Sequence, residues 1–163
     1  TGRMTLANTL GFGPAASKVY LKERGLSIGG YGEGNFKAKV ADKHGDNTAD
    51  WLRAVLYFGY KFSDRIIFNS EIEFEHASTG QAGSTSLEFA YLDYRLTQSF
   101  GFRGGLLLSP MGLVNELHEP PIFLGAKRTE TESRIIPTTW RENGLGIFGQ
   151  AGSQLVLALR CLE

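Results

Sequence analysis

The stretch Phe68-Asn69-Ser70-Glu71-Ile72-Glu73-Phe74-Glu75-His76 decides the fold, because its side chains alternate in character along the chain. Its even-numbered positions are mostly apolar, whereas Glu71, Glu73 and Glu75 occupy odd-numbered ones. Successive side chains of a β-strand point to opposite faces of the sheet, so this segment offers one face to lipid or a core and the other to water. A helix would scatter the three glutamates around its circumference.

Weaker versions of the same alternation lie on both sides of this stretch. The segments are joined alternately by long polar loops and tight turns, with the long loops after the first, third and fifth segments. We predict strands at 26–39, 51–61, 68–76, 86–96, 100–109, 145–150 and 154–160.

The composition limits the class of protein. The chain has 163 residues, zero formal net charge, 42% hydrophobic residues and 21 glycines, which is enough for one domain with a core. Its mean hydropathy is −0.16, and no apolar run approaches the ~18 to 20 residues of a spanning helix, so a membrane role would require β-strands of ~9 to 11 residues or surface attachment. Without net positive charge or a basic stripe, we expect no nucleic-acid partner.

The ends of the chain and its cysteine add little. Cys161 is the single cysteine, so we expect no intrachain disulfide and no cysteine-rich metal site. Residues 1–10 lack the pattern of a signal peptide. We divide the chain into a lead-in segment at 1–25, irregular or partly helical, and a β-barrel domain at 26–163.

Segment length favours a membrane barrel over a soluble antiparallel sandwich, which also shows alternating strands. The segments approach ten residues, whereas strands of soluble proteins typically have ~5 to 6. Outer-membrane barrels also place short turns at one end and long loops at the other. The predicted fold is therefore all-β: an antiparallel up-and-down β-barrel of outer-membrane type, or a partial barrel of about 6 to 8 strands.

Several short sequence motifs resemble the amino-terminal half of bacterial outer-membrane porins related to the phosphate-selective porin group. The resemblance covers about Ser17 to Gly149. The motifs are Ser27-Ile28-Gly29-Gly30-Tyr31-Gly32-Glu33, Glu88-Phe89-Ala90-Tyr91-Leu92-Asp93-Tyr94, Gly104-Gly105-Leu106-Leu107-Leu108, Met111-Gly112-Leu113-Val114-Asn115-Glu116, His118-Glu119-Pro120-Pro121 and Ile135-Ile136-Pro137-Thr138-Thr139-Trp140-Arg141-Glu142.

The resemblance implies an outer-membrane porin or porin fragment that lets small hydrophilic solutes or ions diffuse passively, without a cofactor. Such porins look like trimers of barrels with about sixteen strands and about twice this length, so the chain is expected to be a fragment or an unusually short variant. It lacks their terminal aromatic strand. The expected location is the bacterial outer membrane, and the expected partners are outer-membrane lipid or detergent, the diffusing solutes or ions, and further copies of the chain.

The resemblance also implies that the third long loop, at 110–140, folds into the pore. Charged groups at a narrow point set ion preference, because they stabilise an ion of opposite sign where little hydration water remains. The alternative that these residues form salt bridges holding the loop stays open. The candidates for the pore lining or constriction loop are Asn115, Glu116, His118, Glu119, Lys127, Arg128, Glu132, Arg134, Arg141 and Glu142.

Alternation along the strands provides a second set of polar candidates. These side chains either face the lumen or form an ordinary solvated face. The lumen-facing strand candidates are Arg53, Glu71, Glu73, Glu75, Asp93, Arg95 and Arg103.

An enzymatic function is a weaker hypothesis. The Gly-x-Ser-x-Gly pattern is absent, and His44, His76 and His118 are well separated in sequence, so no catalytic residue is proposed. The pair His118-Glu119 lacks the second histidine of a zinc helix, so no metal site is proposed. Two alternatives remain open: a membrane-associated β-barrel hydrolase of the esterase or phospholipase type, and a non-transporting β fragment that assembles with itself through unpaired strand edges.

Overall fold

The structure is a computed structural model of the 163-residue chain. It describes residues 15–38, 47–76, 82–97, 99–112, 114–120, 123–125, 128–136, 139–151 and 155–162.

The described residues form one antiparallel sheet of seven strands, in which each strand pairs with the next in sequence. The prediction of an all-β, antiparallel, up-and-down sheet of six to eight strands is therefore confirmed. Its strands are β1 (Gly25–Lys37), β2 (Thr48–Lys61), β3 (Ile66–Glu75), β4 (Ser84–Arg95), β5 (Phe100–Leu108), β6 (Arg141–Ala151) and β7 (Leu155–Leu162).

Short and long connections alternate as the sequence predicts. The tight turn between β2 and β3 is closed by the amide of Phe62, which donates to the carbonyl of Ile66 at 3.0 Å. The turn between β4 and β5 is closed in the same way by Leu96 and Phe100 at 3.0 Å. The other end of the sheet, called the loop end here, carries the long connections that follow β1, β3 and β5.

Some boundaries differ from the predicted ones. β1 begins at Gly25 and ends at Lys37, two residues before the predicted end, and β6 begins at Arg141 rather than at residue 145. Arg141 and Glu142 therefore belong to β6 and not to the connection before it, and their assignment to the pore lining stays a prediction. Pairing with Leu108 and Leu107 of β5 holds them there despite the glycines that weaken the β6 pattern.

The two faces of the sheet differ sharply in character. On one face, called the outer face here, large apolar side chains are exposed on five of the described strands, β1, β2, β4, β5 and β6. On the opposite inner face, charged and aromatic side chains are covered. The exposed apolar residues of the outer face include Leu26, Ile28, Leu56, Tyr60, Leu87, Leu92, Tyr94, Phe100, Phe102, Leu145 and Ile147.

A 3-10 helix at Ala16–Leu21, called the lead-in helix here, lies on the inner face against β1, β2 and β3. The hydrophobic core lies between this helix and the sheet, where Val19 packs with Val55, Ile67 and Phe89. A second short helix, α1 (Glu130–Arg134), belongs to the connection between β5 and β6. Neither of these helices is long and apolar enough to cross a bilayer, and the described residues contain no other that is.

Candidate functional site

All seven polar candidates from the strands lie on the inner face. The register places Arg53 opposite Glu75, Asp93 opposite Arg103, and Arg95 opposite Gly101, with each pair on the side that the helix covers. Glu71 and Glu73 are only 1% and 6% exposed, so they do not form an ordinary solvated face.

Near the loop end, Arg53 joins carboxylates from β1 and β3. Its guanidinium lies 2.7 Å from Glu73, 3.0 Å from Glu33 and 3.8 Å from Glu75. Three carboxylates around one cation give this part of the inner face a negative charge. Glu88 of β4 lies close enough to Glu73 for the two carboxylates to interact electrostatically. It forms an ion pair with Arg141 at 3.2 Å.

Further toward the tight turns, Arg103 and Asp93 form a bidentate ion pair between β5 and β4. Arg103 also donates to the hydroxyl of Tyr20 at 3.1 Å and lies 4.0 Å above the ring of Tyr91. The Tyr20 hydroxyl donates to Asp93 at 2.8 Å, which ties the lead-in helix into the network. Such fully partnered buried charges hold neighbouring elements in one arrangement.

At the end of the sheet where the tight turns lie, a cavity of about 450 Å³ opens between the two turns. Its lining contains both signs of charge, from Asp64, Arg65 and Arg95, together with Leu96 and Thr97. The guanidinium of Arg95 lies 5.3 Å above the ring of Tyr20, so the lead-in helix bounds the same region.

Asn115 closes the long connection between β5 and β6. Its side-chain amide donates to the carbonyls of Ser109 at 2.7 Å and Trp140 at 2.9 Å, and its side-chain oxygen accepts from the Trp140 amide at 2.8 Å. Asn115 is 2% exposed. One side chain thus brings the two ends of this connection together above the inner face.

His118 and Glu119 bring this connection into contact with the sheet and the helix. The ring of His118 lies 3.2 Å from Glu71 through Nε2 and 3.0 Å from the Asn115 carbonyl through Nδ1. Burial lowers the pKa of His118, but the hydrogen bond and negative charge of Glu71 outweigh it and leave that pKa above its ordinary value. Two acceptors around one ring favour the doubly protonated imidazolium.

Glu119 accepts hydrogen bonds from the backbone amides of Ala16 at 3.1 Å and Ala15 at 3.3 Å. Burial raises the pKa of Glu119 above its ordinary value, although these hydrogen bonds oppose the increase. The connection after β5 therefore contacts the beginning of the lead-in helix as well as β3.

Of the remaining described loop candidates, Arg128 lies close enough to His118 to act on it electrostatically, whereas Arg134 and Glu142 have partners elsewhere. Arg134 pairs with Glu130 at 2.6 Å on the exposed surface of α1, and Glu142 accepts from the indole of Trp140 at 3.0 Å. Glu116 and Arg128 are partly buried. Lys127 lies outside the described residues, as does the side chain of Glu132.

Sequence reasoning missed several polar residues of the inner face. Three of them lie an even number of residues from a predicted candidate on the same strand, and so on the same face. Tyr57 shares a face with Arg53, Asn69 with Glu71, and Tyr91 with Asp93. The alternation along the strands would have identified these three. Tyr20 and Glu88 had no such signal, since one lies in a helix and the other at a bulge where the β3–β4 register shifts.

The described residues contain no group of three or more His, Cys, Asp or Glu side chains that could hold a metal ion. The two described histidines each face a carboxylate: His76 lies 2.9 Å from Asp50, and His118 contacts Glu71. Both ring nitrogens of His118 have partners, so this ring has no nitrogen left to accept a proton from a serine.

Comparison with known proteins gives one informative match. The chain is 53% identical over 142 residues to an uncharacterized protein of Aquifex aeolicus (strain VF5). The match covers 85% of this chain but 32% of that protein, so the chain spans about a third of the length of the curated relative it matches. No protein-family model matches the chain. No solved structure matches it.

Proposed function

We propose that this chain forms part of the wall and interior of an outer-membrane porin, through which small hydrophilic solutes or ions diffuse passively. Lipid covers the outer face, and water and solutes meet the inner face. The location in the bacterial outer membrane and assembly with further copies of the chain belong to the same proposal.

One observation carries it: the sheet has its apolar side exposed and its charged side covered. Leu56, Leu92 and Phe102 of the outer face are 39%, 47% and 45% exposed, whereas Glu71 and Asp93 of the inner face are 1% and 0% exposed. A sheet in water normally buries its apolar face and hydrates its polar one. A barrel in lipid has the opposite requirement, since its apolar residues face acyl chains and its interior is polar.

The connections and the strand count support the same proposal. Long connections follow β1, β3 and β5 at one end, which matches the wiring of outer-membrane barrels. The seven strands of the described residues are too few for an open channel, because even an eight-stranded barrel is filled by its own side chains. Further strands, from the rest of a longer protein or from other copies, would have to complete the wall.

The charges of the inner face supply a mechanism for ion preference. Arg53 with Glu33, Glu73 and Glu75 leaves an excess of negative charge near the loop end. A passing cation would be stabilised there where hydration water is scarce.

The test is single-channel conductance of the full-length protein in planar bilayers, with the reversal potential measured under a salt gradient. Discrete current steps are expected, and Glu73→Gln is expected to shift the reversal potential toward anion preference. Glu130→Gln is the matched control, because that carboxylate is 79% exposed on α1 outside the sheet. Absence of current from protein shown to be folded would overturn the proposal.

The other two interpretations predict different results. A hydrolase of the esterase or phospholipase type would turn over an ester and lose that activity on substitution of one serine or histidine. A self-assembling β fragment would form oligomers without conducting. No contact described above favours either of them.

A further inference from the structure

The inner face is shaped to receive the lead-in helix. A Cβ built on Gly59 of β2 would lie 2.6 Å from both Cβ and Cγ2 of Val19, so only glycine fits beneath that side chain without displacing it. A Cβ on Gly29 of β1 would lie 3.5 Å from the Lys18 side chain. The contact at Gly29 is of ordinary van der Waals length, so the seat is created by the missing side chain at Gly59, and Val19 occupies it at 2% exposure.

Polar contacts fasten the helix along its whole length. At its start, Glu119 binds the amides of Ala15 and Ala16, and the side chain of Asn69 donates to the Ala16 carbonyl at 2.8 Å. At its end, Lys61 donates to the Lys22 carbonyl at 2.8 Å. Between these points, the Tyr20 hydroxyl binds Asp93.

These contacts come from separate parts of the chain. Asn69, Lys61 and Asp93 belong to three different strands, whereas Glu119 belongs to the connection after β5. The helix therefore covers the face that the proposed function assigns to water. Strand residues hold it from the sheet, and Glu119 of the connection after β5 holds its first residues.

We infer that the lead-in helix is an internal plug, held on its seat by Glu119, that limits the path along the inner face. This inference rests on the proposed function. Glu119 acts as a positioning residue, because it fixes the helix and need not touch the solute. Loss of its two charge-assisted hydrogen bonds would shift the balance between seated and unseated helix by about tenfold or more.

The first readout reports the position of the helix and is independent of current. Val19→Cys, made in the full-length protein with Cys161→Ser to remove the native thiol, places a thiol on the seat. We expect slow reaction with a water-soluble maleimide when Glu119 is present, and reaction about tenfold or more faster with Glu119→Ala. Glu130→Gln serves as the control and should leave the labelling rate unchanged.

The second readout is single-channel conductance of Glu119→Ala and of Gly59→Ala, each without the engineered thiol. Both variants are expected to conduct more than the wild type, because one removes the contact at the start of the helix and the other fills the seat beneath Val19. These two substitutions act at separate sites, so a folding defect in one leaves the other as a test.

The outcomes separate this inference from the proposed function. Unchanged labelling in Glu119→Ala, with normal current, would overturn the positioning role of Glu119. Faster labelling with unchanged conductance in both variants would show that the helix does not limit the path, and would overturn the plug. Absence of current from folded wild-type protein would overturn the proposed function and the plug with it.

Discussion

Asp93 and Arg103 form a two-point ion pair between neighbouring strands: Nε lies 2.6 Å from Oδ1, and Nη2 lies 2.8 Å from Oδ2. The two residues are 0% and 5% exposed. They also bind Tyr20, so this pair joins the wall of the sheet to the lead-in helix.

Arg103→Leu should destabilise the protein strongly, because it leaves the carboxylate of Asp93 covered without its partner. Removing one member of a buried pair typically costs about 3 to 5 kcal/mol. Urea unfolding in detergent micelles, followed by tryptophan fluorescence, would measure the loss. Arg134→Ala, which breaks the exposed pair on α1, should have little effect. A loss in Arg103→Leu no larger than in this control would contradict the prediction.

Leu92→Arg should impair insertion into lipid, since Leu92 lies on the outer face between Phe68 and Gly104 in the register. Placing arginine on the lipid face costs about 2 to 4 kcal/mol near the bilayer midplane and less near its surfaces. The folded fraction in lipid vesicles, measured by the shift in gel mobility on heating, would show the effect. Leu124→Arg is the control, because Leu124 is 99% exposed and lies outside the strands. Equal folded fractions for both variants would count against lipid on this face.

Most of the strands could be predicted from sequence because alternation is a local signal. Phe68 to Glu75 alternates clearly, and the strand observed there differs from the predicted one by two residues at its start and one at its end. The face of β4 was harder to assign, since Phe89 and Tyr91 are apolar but lie inward with Asp93. The structure explains this: those two rings pack against the tyrosines of the inner face and the lead-in helix, with Phe89 6.2 Å from Tyr57.

The candidate site was less predictable because its contacts join residues distant in sequence. Glu71 and His118 are 47 positions apart, and Ala16 and Glu119 are 103 apart. The alternation along β3 placed Glu71 on the correct face, but no local pattern could pair it with a histidine in a loop. The lead-in helix escaped specific prediction for the same reason, since its place depends on Gly59 and Asn69 of the sheet.

Asn115→Asp should loosen the connection between β5 and β6. The substitution keeps the shape but replaces the amide donor by an oxygen facing the carbonyls of Ser109 and Trp140. Leaving buried acceptors unpaired costs about 1 to 3 kcal/mol, so tryptic cleavage after Arg128 or Arg134 should accelerate. Asn47→Asp, at an exposed position before β2, is the matched control. Identical cleavage rates in the two variants would refute the bridging role.

Stability should fall as pH rises through the raised folded-state pKa of His118. The folded protein binds that proton more tightly than the unfolded chain, so the contribution is complete below the ordinary value of about 6.5 and is lost above the folded value. Glu119 acts in the same direction, since its raised pKa means that ionisation opposes folding. The groups facing His118 are Glu71, Glu88, Glu119 and Arg128.

Unfolding free energies measured between pH 5 and 9 would test this dependence. One proton gives a slope of up to about 1.4 kcal/mol per pH unit, and His118→Gln should remove that part of the slope. Leu124→Gln, at an exposed loop position, should retain it. A wild-type slope that survives in His118→Gln would assign the pH dependence to other groups.

The opposed faces of the sheet also change what counts as a conservative substitution. In most proteins an exposed position tolerates polar residues and a covered one demands apolar residues. At the neighbouring positions Leu92 and Asp93 these two preferences are reversed, because the exposed side chain is apolar and the covered side chain is charged. Substitutions that these strands tolerate should therefore keep hydrophobic residues at the exposed positions of the outer face and polar residues at the covered positions of the inner face.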